Sequence, residues 1–131
     1  MKGRFESKYK MNYTLENRKR ESEKVRARHP DRIPVICERV CDSAVGDMKK
    51  CKFLLPHYLT VGQFLVALRK HAQLSPEVAL FVYVHGSVPP VSAKMDDIYT
   101  KHKDEDGFLY MNFSNEPVFG NSPSSSEVLR I

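Results

Sequence analysis

Thr60-Val61-Gly62-Gln63 is a capping box, a threonine at a helix cap with a glutamine three residues on to return the hydrogen bond, and it predicts a helix from Val61. Val61, Phe64, Leu65 and Leu68 fall at i, i+3, i+4 and i+7, so this helix carries one apolar face. Such a face needs a flat apolar partner, and short β-branched or aromatic runs stand on both sides of the helix to supply one.

Ile33-Pro34-Val35-Ile36-Cys37-Glu38-Arg39-Val40 reads as a strand, with Pro34 predicting an unpaired or edge position for its start. A loop with Asp42, Ser43, Gly46 and Asp47 leads to a second strand, Cys51 to Leu55, stopped by Pro56; the two make a hairpin. Leu80-Phe81-Val82-Tyr83-Val84 is apolar on both faces, which predicts a central strand. Ser92 is the expected cap of a short helix with Met95, Ile98, Tyr99 and His102 on one stripe. Asp104-Glu105-Asp106-Gly107 then turns into a last strand, Phe108 to Phe113. The order ββαβαβ predicts an α+β fold: a four-stranded mixed sheet around the capped helix, a ubiquitin-like β-grasp.

Two further helices are expected ahead of it, in residues 1–32. Thr14 caps a polar segment from Leu15 to Arg28, and His29-Pro30 ends it, because a residue before proline is pushed out of the helical region. Residues 1–35 hold eleven Lys/Arg against five Asp/Glu. That local excess suits nucleic acid, an acidic peptide or an anionic membrane, and equally a solvated helix face. The β-grasp core is expected over 33–119. Residues 120–131, with Asn121-Ser122-Pro123-Ser124-Ser125-Ser126, form a tail too polar to pack.

The longest apolar run, Val78 to Val84, is seven residues, far short of the roughly 20 a membrane-spanning helix needs. The charged start, Met1-Lys2-Gly3-Arg4-Phe5-Glu6, fits no signal or transit peptide, and a cytoplasmic chain is expected. Cys37, Cys41 and Cys51 form no CxxC pair, and the histidines at 29, 57, 71, 85 and 102 stand singly, so reduced thiols and no metal site or cofactor are expected. Nor is there a phosphate loop, a GxSxG elbow or a Cys/His pair placed as a nucleophile, and no enzyme activity is expected.

The run from Arg20 to Arg39, RESEKVRARHPDRIPVICER, together with LTVGQFLVALRK (59–70), SVPP followed by MDDIY, HKDEDGFLY (102–110) and Phe119-Gly120, resembles the Atg8 family of ubiquitin-like autophagy modifiers, the group that includes the LC3 and GABARAP proteins. The resemblance spans Phe5 to Gly120. It implies a precursor cut between Gly120 and Asn121 by an Atg4-like cysteine protease, activated as a thioester by an Atg7-like enzyme, passed to an Atg3-like enzyme and joined covalently to phosphatidylethanolamine on autophagosomal membranes. Glycine suits that role physically: without a Cβ it threads a narrow active site and lets a thiolate reach its carbonyl.

The resemblance also implies a docking surface for LC3-interacting peptides, which add a strand to a sheet edge and place an aromatic and an aliphatic side chain in two pockets. Carried over residue by residue, Glu21, Val25, Pro34, Ile36, Lys52, Leu54 and Phe108 line the aromatic pocket. Phe53, Leu55, Pro56, Leu59, Phe64, Ala67 and Leu68 line the aliphatic one, although Phe64 and Leu68 are equally expected as core. Arg32, Lys50, Lys52 and Arg69 are the cations that would attract the acidic residues of such peptides.

The chain departs from the family pattern in an insertion of about four residues near 10–14, in Ala67 where a larger aliphatic is usual, and in His71 where arginine is usual. The second pocket is therefore expected to be wider and its rim less charged. One alternative stays open at this point: an unconjugated adaptor that binds microtubules or RNA through its basic N-terminal helices.

Overall fold

The computed structural model describes residues 7–40 and 51–115. The elements run α1 (Lys8–Asn12), α2 (Leu15–Arg28), β1 (Arg32–Arg39), β2 (Lys52–Pro56), α3 (Val61–His71), β3 (Phe81–Tyr83), α4 (Met95–His102) and β4 (Leu109–Ser114). The sheet order is β2-β1-β4-β3, with β1 antiparallel to β2, parallel to β4, and β3 antiparallel to β4.

Each of the first three helices starts on a side-chain cap. Ser7 Oγ accepts from Lys10 N–H at 3.2 Å, and Thr14 Oγ1 accepts from Asn17 N–H at 3.1 Å. At α3 the capping box closes in both directions, Gln63 N–H donating to Thr60 Oγ1 at 3.1 Å and Thr60 N–H to Gln63 Oε1 at 2.9 Å. The segment expected as an insertion completes α1 and, at Tyr13 and Thr14, links it to α2.

Two expectations need correction and a third is half met. Pro34 lies in β1, an interior strand, and not at an edge, but it takes the other expected position, one whose nitrogen is unpaired. The lattice tolerates it because Cys37 N–H donates to Cys51 C=O at 2.8 Å across the β1–β2 pair, so by alternation the Pro34 nitrogen faces β4, and β4 joins only from Val35 onward. The apolar run 80–84 yields the three-residue outer strand β3, not a central one. Val84 leaves the ladder because it pairs with Ser87, through a turn in which His85 and Gly86 both have positive φ. Ser92 is not the cap of α4. That helix starts three residues later behind Lys94, which makes no side-chain cap; its first turn carries Asp96 and Asp97, whose charges complement the positive end of the helix dipole, and its start is tied to the segment ahead of α3 by Met95 N–H on Leu59 C=O at 2.8 Å.

The sheet is covered on both faces. Val35, Cys37, Leu109, Met111 and Phe113 pack with Phe64 and Leu68 of α3 and Met95 and Ile98 of α4. On the other face Ile36 and Phe108 pack with Tyr9 of α1. This double cover explains why six consecutive β1 residues, Ile33 to Glu38, are buried.

Candidate docking face

β2 forms one edge of the sheet, and among the described residues nothing pairs with its outer side. The register places Val35 opposite Phe53 and Ile36 opposite Lys52. Because Cys37 and Cys51 form a hydrogen-bonded pair, the alternation of an antiparallel ladder turns the backbone N–H and C=O of Lys52 and Leu54 outward, to the free edge. Arg32 Nη1 reaches the outward carbonyl of Leu54 at 3.3 Å, so this cation sits on the edge itself.

Successive side chains of β2 point to opposite faces, and, Pro56 apart, the two expected pocket sets divide accordingly. On one face lie Lys52 and Leu54 with Pro34 and Ile36 beside them; Lys52 Nζ stands 3.3 Å from Glu21 Oε2 of α2, and Val25 is half-buried one turn further along that helix. Ile36 and Phe108 are 0% and 2% exposed. On the other face Phe53 meets the ring of Phe64 edge-on at 5.6 Å and that of His71 at 5.1 Å. Leu55, Phe64 and Leu68 belong to the core and support this face from beneath, whereas Phe53 and Leu59 are half-buried and Ala67 is exposed; Pro56, also half-buried, falls by alternation on the side of Lys52 and Leu54 and so apart from the set it was expected in. Arg69 Nη1 donates to the carbonyls of Ser75 at 2.9 Å and Val78 at 2.5 Å and thereby holds that loop. Lys50, Gly120 and Asn121 lie outside the described residues.

Two features escaped the sequence reading. The first is Tyr9, whose ring sits edge-on to Phe108 at 5.5 Å, with the Lys52 amine 5.7 Å above it. Burial first, then the negative charges of Glu21 and Asp106, push its hydroxyl pKa up to about 12. The second is Asp106, whose carboxylate is fully buried yet fully satisfied: Arg18 Nη1 donates to it at 2.7 Å, Tyr110 Oη at 2.6 Å and Phe108 N–H at 2.8 Å. Ser22 Oγ donates to the Asp106 carbonyl, and Gly107 (φ +95°) is the only residue type that fits beside it, since an added Cβ would meet Ser22. Lys10 Nζ bonds Asp104 at 2.7 Å. Burial raises the Asp104 carboxyl, but that bond, with the Asp106 N–H and the Arg18 charge, outweighs it and leaves the group below the usual carboxylate range. Together these contacts hold α1 and α2 on the sheet.

Nothing in the described residues forms a group of three or more His, Cys, Asp or Glu side chains able to hold a metal ion, and no described helix is long and apolar enough to cross a membrane. Cys37 is a buried free thiol whose pKa burial drives far up, which makes it a poor nucleophile. A cavity of about 420 Å³, bounded by Val84, Pro90, Ile98 and His102, lies beside the turn after β3, at the opposite side of the sheet from β2.

The family model described as autophagy protein Atg8, ubiquitin like, matches residues 17–120. The chain belongs to the Atg8 family. Its members are ubiquitin-like modifiers of autophagy and not enzymes. Autophagy-related protein 8 of Emericella nidulans is 51% identical over 114 residues, 87% of this chain and 97% of that one. The Schizosaccharomyces pombe protein of the same name is 48% identical over 114 residues, 87% of this chain and 94% of the relative. Among solved structures, Trypanosoma brucei ATG8 is 58% identical with a TM-score of 0.80, covering 85% of this chain and 96% of its own. Plasmodium falciparum Atg8, solved in complex with a peptide of that organism's Atg3, is 36% identical with a TM-score of 0.77 over 85% of this chain and 98% of its own. The four-stranded mixed sheet with its helices is thus the Atg8 ubiquitin-like fold.

Proposed function

We propose that this Atg8-family chain is cut after Gly120, joined there to phosphatidylethanolamine on autophagosomal membranes, and docks peptides of cargo receptors and autophagy factors on the β2 edge. One observation carries the docking part. The outward backbone groups of Lys52 and Leu54 lie between apolar sets on opposite faces of β2. In an extended peptide the side chains of residues i and i+3 point to opposite faces. An aromatic-x-x-aliphatic peptide added to this edge therefore delivers its aromatic group toward Ile36 and Phe108 and its aliphatic group toward Phe53 and Leu59. Lys52 and Arg32, with Lys50 and Arg69, supply positive charge for acidic residues of the peptide; such exposed charges act chiefly on association rate.

The conjugation part rests on the family match, which runs through Gly120, and on the Plasmodium relative seen with an Atg3 peptide. The Plasmodium complex supports an Atg3-like partner, Atg4- and Atg7-like partners rest on membership of the family alone, and together these favour this reading over an unconjugated adaptor.

Titration calorimetry with an acidic peptide containing Trp-x-x-Leu tests the docking face. Lys52→Ala and Leu54→Ala should each weaken binding by roughly 1 to 2 kcal/mol, as central anchors do. Unchanged affinity in both variants would remove β2 from the account.

A further inference from the structure

A ligand touches only what solvent can reach, and Ile36 and Phe108, the floor of the aromatic pocket, are 0% and 2% exposed. An incoming aromatic ring cannot meet them until a cover moves. Tyr9 is part of that cover: it forms one cluster with Ile36 and Phe108, its ring stands edge-on to Phe108 at 5.5 Å, and Lys52, an edge residue of β2, lies 5.7 Å over the same ring. An aromatic side chain of the protein thus already lies against a floor residue of the expected pocket and beneath Lys52.

The two N-terminal helices differ in how firmly they are held. α2 is 14 residues long and is anchored by the buried Ser22 and by Arg18 on the buried Asp106 carboxylate. α1 has five residues, too few to stand as a helix without tertiary contacts. Besides the Tyr9 ring, it is held by Tyr9 N–H on the Glu38 carboxylate at 2.9 Å and by Lys10 on Asp104, a pair whose side chains are 39% and 21% exposed. A bond that open to water adds little. Of the two helices α1 is the shorter and the one with fewer buried ties, its Tyr9 N–H bond to Glu38 being the buried one.

We propose that α1 is a built-in competitor of the docking peptide, with Tyr9 seated in the aromatic pocket, so that only the fraction of molecules with α1 displaced binds. The proposal rests on the docking reading and deepens it. Apparent affinity is then the intrinsic affinity reduced by the open fraction, and any change that frees α1 tightens binding.

The test uses the full chain and an acidic Trp-x-x-Leu peptide, with calorimetry for affinity and hydrogen exchange for α1. Tyr9→Ala should tighten binding by about threefold or more, and Lys10→Ala by a smaller factor in the same direction. In the unaltered protein, added peptide should speed exchange of the Tyr9 amide, because its bond to Glu38 is released. This readout and Lys10→Ala, a surface change, stand even where Tyr9→Ala fails to fold. Weaker or unchanged binding in both variants, or an α1 amide protected by peptide, would overturn the proposal and make Tyr9 a fixed wall of the pocket. Leu54→Ala separates the two levels: if it weakens binding while the α1 variants do nothing, only the competitor is lost, whereas if it has no effect in any background the docking reading itself fails.

Discussion

Asp106 is the residue on which the N-terminal layer depends most. A charge removed from water must be repaid by partners, and three donors surround this carboxylate while its side chain has no exposed surface. Asp106→Ala leaves the Arg18 guanidinium and the Tyr110 hydroxyl without their acceptor in a largely buried place. A loss of about 3 to 5 kcal/mol is expected, measured by urea denaturation. A loss under about 1 kcal/mol would show that Arg18 finds water instead. None of this was legible in HKDEDGFLY, where three acidic residues in a row read as a solvated turn; a sequence does not say which carboxylate is buried. Tyr9 was missed for a related reason, because an aromatic in a basic, polar stretch gives no periodicity to read. The strand that carries Lys52 and Leu54, by contrast, was legible as a short apolar run stopped by Pro56, and it forms an edge of the sheet.

Elements with their own local chemistry were the most legible. The capping box placed the start of α3 to the residue, and Thr14 with His29-Pro30 bounded α2 at Leu15 and Arg28. Thr60→Ala should remove the bond from Gln63 N–H to Oγ1, while the backbone N–H of residue 60 keeps Gln63 Oε1 as acceptor, and cost about 1 kcal/mol, seen as a melting temperature lowered by a few degrees. An unchanged melting point would mean that the ties of Val61 N–H to Ala93 C=O and of Met95 N–H to Leu59 C=O already hold that helix start. Elements whose character is set by neighbours were misread. Val82 and Tyr83 are both buried, which in sequence looks like a central strand, yet β3 borders only β4. Pro34 marked an unpaired or edge position, and which of the two it takes was decided by where β4 begins, leaving it unpaired on that side of an interior strand. Ser92 had the chemistry of a cap, but pairing of Lys94 with Thr60 sets the start of α4.

At the scale of the whole molecule, the order of strands and helices was readable because each has a distinct periodicity, and several long motifs in sequence carried the family. The resulting sheet is clad by α3 and α4 on one face and by α1 and α2 on the other, and among the described residues nothing pairs with the outer side of β2. On the proposed reading other enzymes act on the chain, at Gly120. An acyl group carried on phosphatidylethanolamine brings two chains, and two chains give stable attachment where one gives only marginal attachment. The most direct test of this account is a reconstituted reaction of the 131-residue chain with Atg4-, Atg7- and Atg3-type enzymes and phosphatidylethanolamine liposomes, read by intact mass and by flotation. The account predicts loss of residues 121–131, a mass gain of one phospholipid at Gly120 and flotation with the liposomes, all abolished by Gly120→Ala in a protein that still folds. A parent chain that keeps its last eleven residues and never floats, or an alanine variant lipidated as fast as the parent, would contradict it.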